Sequence, residues 1–279
     1  MSDALLSLVT ALGDDELILG HRHSEWTGFA PHLEEDVAFS SIAQDEIGHA
    51  AAYYAIAGTI TGDHPDKLAL GREPEQYRNA VLCERENRDW AYTLARHWLY
   101  DTADDVRLEA LESSSHAELR ALVTKLRREE RYHLIHAEAW MTRIARGPIE
   151  ARSRLIDALT EAFREADGLF EPFEAEDEAV GTGLLPQPSS ELHKSWHAAA
   201  TEKLDALGLP TEISARGDES AEFLASSSGD LIATEDPRPS TTTTATSVTG
   251  GRRGRHADEF RELWDVMTTT YRHHEGATW

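Results

Sequence analysis

Two Glu-x-x-His motifs, Glu46 with His49 and Glu130 with His133, lie 84 residues apart in this chain, and each interrupts an apolar stripe midway. Apolar residues recur at steps of three and four on either side of each motif, which predicts two long helices. A spacing of three residues rotates two side chains by about 300° on an α-helix, so both leave from one face, one turn apart. The fold must therefore contain two helices that bury polar groups.

A carboxylate and an imidazole inside an apolar stripe are costly to bury unless something compensates them. A metal ion compensates them, and one helical turn brings a Glu oxygen and a His nitrogen near enough to share it. A single Glu-x-x-His motif arises easily by chance, and a hydrogen-bonded core histidine explains it well. Two motifs in matching positions instead indicate a di-iron carboxylate bundle, in which two further helices each supply one carboxylate.

Candidates for both of these carboxylates are present. Glu16 interrupts the leucine stripe of the first helix, 30 residues before Glu46, which fits one helix-turn-helix return. Asp101 lies 29 residues before Glu130, with Asp104 close by, although an Asp side chain is one methylene shorter than Glu. A hydrogen-bonded polar cluster in the bundle core is the alternative at each position. The predicted metal ligands are Glu16, Glu46, His49, Asp101, Glu130 and His133.

Helical periodicity extends over the first 210 residues, with Pro and Gly confined to the gaps. No strand-like alternation of useful length occurs. We predict an all-α fold, an antiparallel four-helix bundle over 1–210 with additional C-terminal helices. The expected helices cover about 3–25, 33–60, 74–113 with a break near 87–89, 116–146, 150–169, 189–207 and 257–272.

Residues 211–249 are dominated by Ser, Thr, Gly and Asp. Such a segment buries too little apolar surface to offset its ordering entropy, so we expect a disordered or loosely packed insert. Residues 250–279 are expected to form a basic turn and a C-terminal docking helix. In the turn, Arg252 and Arg253 are candidates for binding coenzyme A phosphates or an acidic face of a partner. Local neutralisation of the acidic insert explains these arginines equally well.

Charge and cysteine content exclude several classes of protein. With 27 Lys and Arg against 51 Asp and Glu, the net charge of −24 opposes binding to nucleic acid or to anionic membranes. The single cysteine, Cys83, excludes an intrachain disulfide and a Cys-based metal site. Because no basic leader and no apolar run of about 18–20 residues occurs, we expect a cytoplasmic protein. An acidic chain with only four lysines fits a halophile-like surface or ordinary solubility.

Carboxylates and imidazoles with open positions suit iron or manganese better than structural zinc, which prefers closed, thiolate-rich sites. Glu129 and His136 adjoin the second motif and are expected to orient a ligand. Flavin and NADPH are not expected on this chain, because no Gly-rich phosphate loop or nicotinamide fingerprint occurs. The site residues alone leave oxygenase, ferroxidase and reductase subunit open. Four histidines flank helix ends and are expected in solvent: His21, His23, His273 and His274.

Several short stretches carry a family resemblance: Leu12-Gly-Asp14, Ser24-Glu-Trp26, Gly28-Phe-Ala-Pro31-His-Leu-Glu34, Thr93-Leu-Ala-Arg96 with Asp101, Glu129-Glu-Arg-Tyr-His133, and Gly250-Gly-Arg-Arg-Gly254 through to Trp279. On these residues, over about 10–210 and 250–279, the chain resembles the C-type subunits of ring-1,2-phenylacetyl-CoA epoxidases. Those subunits are ferritin-like proteins of aerobic phenylacetate degradation.

The resemblance implies a multicomponent oxygenase. A catalytic A-type subunit holds the di-iron pair and epoxidises phenylacetyl-CoA, and a reductase subunit delivers electrons from NADPH. The C-type subunit pairs with the A-type subunit as a scaffold and has usually lost its metal ligands. This sequence departs from that pattern, because Glu16 and both Glu-x-x-His motifs are present.

We therefore expect a C-type subunit that can hold a di-iron or iron–manganese centre, with the main chemistry in its partner and its own catalysis left open. One alternative is a free-standing di-iron carboxylate oxidase or ferroxidase. Another is an interaction protein whose polar stripe is a hydrogen-bonded relic.

Overall fold

The computed structural model describes residues 2–215 and 249–274, and every regular element in these ranges is helical, as predicted. None of these helices has the length and apolarity needed to cross a membrane. The helices are α1 Ser2–Ser24, α2 Leu33–Thr61, α3 Pro65–Leu70, α4 Val81–Glu84, α5 Trp90–Leu111, α6 Ala117–Ala145, α7 Ile149–Ala166, α8 Glu176–Gly181, α9 Ser189–Ala206, α10 Glu212–Ala215 and α11 Asp258–His273.

Four long helices, α1, α2, α5 and α6, build the bundle. Helix α1 returns into α2 through residues 25–32, and α5 returns into α6 through residues 112–116, so each pair packs as an antiparallel hairpin. Residues 62–89 connect the two hairpins. One long crossover of this kind is typical of ferritin-like bundles, and the predicted architecture is confirmed.

Apolar layers of the bundle enclose a polar centre. Leu12 and Leu19 of α1 are buried in the same core cluster as Ile56 of α2 and Trp98 of α5. Full burial of one such aliphatic side chain contributes about 1.5–3 kcal/mol. These layers supply the stability that keeps the polar side chains between them inside the bundle.

Of the predicted helix over 74–113, the first half contains only the short α-helix α4, and the long helix α5 begins at the predicted break. Upstream of it, the backbone N–H of Arg78 donates to Asp14 of α1 at 2.6 Å. The backbone N–H of Ala80 donates to the neighbouring Asp15 at 2.8 Å. Because acids of α1 satisfy these backbone donors, residues 78–80 lie outside any helix, and only the short α-helix α4 forms before α5.

Helices α7 and α9 pack beside α5. The ring of Phe163 on α7 stacks on Trp196 of α9, with centroids 5.1 Å apart. The Trp196 indole N–H donates to the Thr102 hydroxyl of α5 at 3.0 Å, which ties the outer layer to the bundle. The short helices α3 and α8 lie in stretches for which the sequence predicts no helix.

Residues 249–274 pack against the first part of the chain. Gly251 lies so close to Asn79 that a Cβ atom would collide with the Asn79 carbonyl oxygen. The Trp264 indole N–H donates to the Arg72 carbonyl oxygen at 2.8 Å. The apolar side predicted for the last helix is buried: Phe260, Leu263, Trp264 and Met267.

Most of the predicted insert, residues 216–248, lies outside the described residues. Residues 211–215, which composition assigns to the insert, carry helix α10 instead, and Ile213 is buried. The carbonyl oxygen of Ser214 lies 3.0 Å from Nε2 of His197 on α9. Helix α10 therefore packs on α9 as part of the outer helical layer.

Candidate metal centre

Three consecutive acids of α1, Asp14, Asp15 and Glu16, are all buried, and Glu16 approaches the two motifs. Its Oε1 accepts a hydrogen bond from the Tyr100 hydroxyl at 2.8 Å. Its Oε2 lies 3.4 Å from His49 Nδ1 but makes no hydrogen bond. Glu16 thus reaches the level of the motifs with one oxygen unpartnered.

Glu16, His49 and Glu130 form the first donor group, with one residue from each of three helices. One ligand atom of each lies within 4.8 Å of the others, and all three residues are buried. His49 Nδ1 is 3.0 Å from Glu130 Oε1, yet neither atom has a hydrogen-bond partner. Close approach without hydrogen-bond geometry is unusual for buried polar atoms and is the arrangement expected around a cation.

Glu46 belongs to a second donor group, with His23 and His97, whose ligand atoms also lie within 4.8 Å of one another. His23 Nδ1 and Glu46 Oε2 are 2.9 Å apart. The expectation that His23 is solvated is wrong, because α1 carries it into the core, and the sequence patterns gave His97 no role. One signal was available, since His23 follows Glu16 by seven residues and shares its helix face.

Asp101 and His133 lie in neither donor group within the described ranges. Asp101 is buried with both carboxylate oxygens unpartnered, and its Oδ2 is 3.3 Å from His97 Nδ1. His133 Nδ1 is 3.3 Å from Glu130 Oε2 and has no hydrogen-bond partner. The imidazole rings of His133 and His49 are stacked at a centroid distance of 6.2 Å. Asp101 and His133 therefore lie at the border of the donor groups.

Burial raises the pKa values of Glu16, Glu46 and Asp101, and the nearby carboxylate of Glu130 raises them further. Burial acts to lower the pKa of His49, but the carboxylates of Glu130 and Glu16 raise it to about 11. Burial therefore favours the protonated forms of these three acids, and a metal ion that binds to them releases their protons.

The residues of the centre fit a divalent cation. Within the described part of the chain, its acids form ion pairs with histidines and not with Lys or Arg. Buried carboxylates without such cations are costly. Carboxylate and imidazole donors in this number match iron or manganese. Unpartnered atoms occur on Glu16, His23, Glu46, His49, His97, Asp101, Glu130 and His133.

Comparison with known proteins identifies the family. The family model described as phenylacetic acid catabolic protein matches residues 1–234, well over half of the chain. The chain belongs to this family. It is also similar to the C-type subunit of the 1,2-phenylacetyl-CoA epoxidase of Escherichia coli (strain K12), with 29% identity over 211 residues that cover 75% of this chain and 85% of that protein.

These findings confirm the resemblance drawn from the sequence and support a role of this chain in phenylacetate catabolism. The family match continues through the Ser/Thr-rich stretch to residue 234. The motifs quoted in the sequence analysis cover a different range, about 10–210 and 250–279.

Carboxylates at the edge of the centre fix the imidazoles of this family member. Glu129 Oε2 lies 3.0 Å from His49 Nε2, and Asp45 Oδ2 lies 3.3 Å from His133 Nε2. A carboxylate on one ring nitrogen sets the tautomer and directs the other nitrogen, here Nδ1, to the centre. His136, expected to orient a ligand, instead contacts Glu35 at 2.8 Å.

The two arginines of the basic turn differ. Arg252 is buried and forms an ion pair with Asp15, with 2.7 Å between Nη2 and Oδ2, and it also donates to backbone carbonyls. A coenzyme A phosphate cannot reach it without breaking this pair, so the expected phosphate contact does not fit its position. The side chain of Arg253 is 64% exposed and lies 3.7 Å from Glu171.

Proposed function

We propose that this chain is the C-type subunit of a multicomponent phenylacetyl-CoA 1,2-epoxidase in the cytoplasm. In this role it pairs with an A-type catalytic di-iron subunit, to which a reductase subunit supplies electrons. The observation that carries the proposal is the similarity to the C-type subunit of the Escherichia coli epoxidase over 85% of that protein. The ferritin-like bundle, which suits helix-on-helix pairing, supports it.

The proposal includes a di-metal centre on this chain itself. Glu16, His49 and Glu130 would hold one ion, because their ligand atoms are buried, mutually close and unpartnered. Iron bound in such a centre supplies dioxygen chemistry. The chain's own residues orient the ligands, through Tyr100 on Glu16 and Glu129 on His49. The other predicted ligands, Glu46, Asp101 and His133, would remain for the second ion.

An exposed apolar surface on α2 and α6 is proposed as the contact for the A-type subunit. It is formed by Phe29 just before α2, by Leu33 and Val37 of α2, and by Tyr132 and Ile135 of α6, and we call it the α2–α6 apolar face. The Glu35–His136 and Asp45–His133 contacts show that the two helices are neighbours here. Exposed apolar side chains on neighbouring helices are candidates for a protein interface, in which aromatic residues are favoured.

Co-expression with an A-type subunit, followed by size-exclusion chromatography, tests the subunit role. The wild-type chain should co-elute with the A-type subunit. The double variant Leu33→Asp, Tyr132→Asp should weaken the complex at least about tenfold, because it places two charges in the contact. Ile149→Asp and Val266→Asp are matched controls, since both residues are exposed apolar side chains elsewhere, and they should leave the complex unchanged.

Two results would contradict the subunit role. The chain could fail to bind any A-type subunit, or it could form a large homo-oligomer that oxidises Fe²⁺ alone. The second result would establish the free-standing ferroxidase instead.

A further inference from the structure

The two residues of the first Glu-x-x-His motif do not serve the same donor group. His49 lies against Glu130, with Nδ1 and Oε1 3.0 Å apart, whereas Glu46 lies against His23 of α1. Glu46 Oε2 is engaged by His23 Nδ1, and Glu46 Oε1 and His23 Nε2 are buried without any hydrogen-bond partner. The helix spacing places both motif residues inside, but each faces a different set of neighbours.

His97 completes the group around Glu46. It is fully buried, and neither of its ring nitrogens has a hydrogen-bond partner. Its ring packs edge-on against His23, with centroids 5.1 Å apart, and lies 5.4 Å from Phe39. A histidine that only fills space in a core normally satisfies at least one nitrogen, because an unpaired buried polar atom costs about 1–3 kcal/mol.

We propose that His23, Glu46 and His97 form a separate metal-binding site, which binds a divalent transition-metal ion through two imidazoles and one carboxylate. This proposal rests on the metal centre of the proposed function and refines it. It assigns the second ion to His23 and His97 in place of Asp101 and His133.

The two groups also differ in donor chemistry. The first offers two carboxylates and one imidazole, and the second offers one carboxylate and two imidazoles. Imidazole suits zinc, iron and nickel, whereas carboxylate oxygen suits manganese and magnesium. Aromatic residues border the second group, since Phe39 packs on His23 and on Trp90 with centroids 5.1 and 4.9 Å apart. They limit the access of water to it.

Cobalt(II) is the probe that tests the proposal, because its visible spectrum reports the coordination of each bound ion. The full-length chain is titrated with Co²⁺, and bound cobalt is counted by mass spectrometry after desalting. We expect two equivalents for the wild type. His97→Gln should lose one equivalent and keep the spectrum of the first group, and Glu16→Gln should lose the other equivalent.

The control is His193→Gln, which removes an imidazole paired with Asp167 at 2.7 Å outside the centre. It should keep both equivalents. His97→Leu is a second variant, and thermal unfolding checks that every variant is folded. Two equivalents in both folded His97 variants would overturn the proposal, as would a wild-type chain that binds one equivalent or none. The subunit role is judged separately, by complex formation with the A-type subunit.

Discussion

Asp15 and Glu16 are neighbours on α1 and both are buried, yet their surroundings are opposite. Asp15 Oδ2 lies 2.9 Å from a guanidinium nitrogen of Arg107 and 2.7 Å from one of Arg252. Glu16 accepts one hydrogen bond, from Tyr100, and its other oxygen has no partner. One step along the chain thus separates a complete ion-pair network from an incomplete one.

The difference shows how a structural acid can be told from a ligand. Burial acts to raise the pKa of both carboxyls, but Arg252 and Arg107 hold the pKa of Asp15 below its ordinary 3.8. The pKa of Glu16 is raised by burial and then further by Glu130. A buried acid that is paired with arginines of the same chain stabilises the folded state. A buried acid without such partners destabilises the folded state until a cation binds to it.

The largest effect is expected from breaking the complete network. Asp15→Asn leaves Arg252 buried beside a neutral group and Arg107 paired with Asp104 alone, and the free energy of unfolding should fall by about 3–5 kcal/mol. Urea unfolding followed by circular dichroism measures this change. A fall below about 1 kcal/mol would show that the network contributes little.

The next effect is stabilisation by metal. Fe²⁺ or Mn²⁺ at about 100 times its dissociation constant should raise the free energy of unfolding by about 2.7 kcal/mol per ion. Glu16→Gln should abolish the gain from the first donor group, because it removes a ligand carboxylate. Unfolding with and without metal under anaerobic conditions measures both values. An equal gain in the wild type and the variant would exclude Glu16 as a ligand.

A smaller effect is expected for Glu16→Gln without metal. The amide can still accept the Tyr100 hydrogen bond, and the repulsion with Glu130 disappears. The free energy of unfolding should change by less than about 1 kcal/mol, in clear contrast to Asp15→Asn. Urea unfolding of the two variants, measured in parallel, gives both changes in the free energy of unfolding. A loss as large as that of Asp15→Asn would remove the distinction between the two acids.

The smallest effect concerns mildly acid pH. Because the pKa of folded Asp15 lies below its unfolded value of 3.8, its stabilisation is complete above that value and is lost as the pH falls through the folded pKa. Asp15→Asn lacks this contribution, so the stability difference between it and the wild type should narrow from pH 5 to pH 3. A constant difference over that range would contradict the lowered pKa.

Sequence periodicity was sufficient to predict the helical bundle and part of the candidate metal centre. Glu16, His49 and Glu130 come together because each interrupts an apolar stripe at the same level, and that level can be read from helical spacing. His23 was missed because it lies next to a helix end in sequence. The packing that buries it comes from α2 and α5, on which Phe39 and His97 contact its ring.

Partners distant in sequence account for the other differences. Arg252 looks like a surface cation in the acidic chain, but its partner Asp15 lies 237 residues away. The stretch before α5 forms only the short α-helix α4, because Asp14 and Asp15 satisfy the backbone N–H groups of Arg78 and Ala80. Neither pairing leaves a local pattern in the sequence.

The central claim is that the first donor group is a metal site rather than a proton-sharing polar cluster. Anomalous diffraction from crystals of the full chain grown with Mn²⁺ tests it most directly. We expect a peak within about 2.0–2.3 Å of ligand atoms of Glu16, His49 and Glu130. A map at saturating Mn²⁺ with no peak there, and with His49 still paired to Glu130, would contradict it.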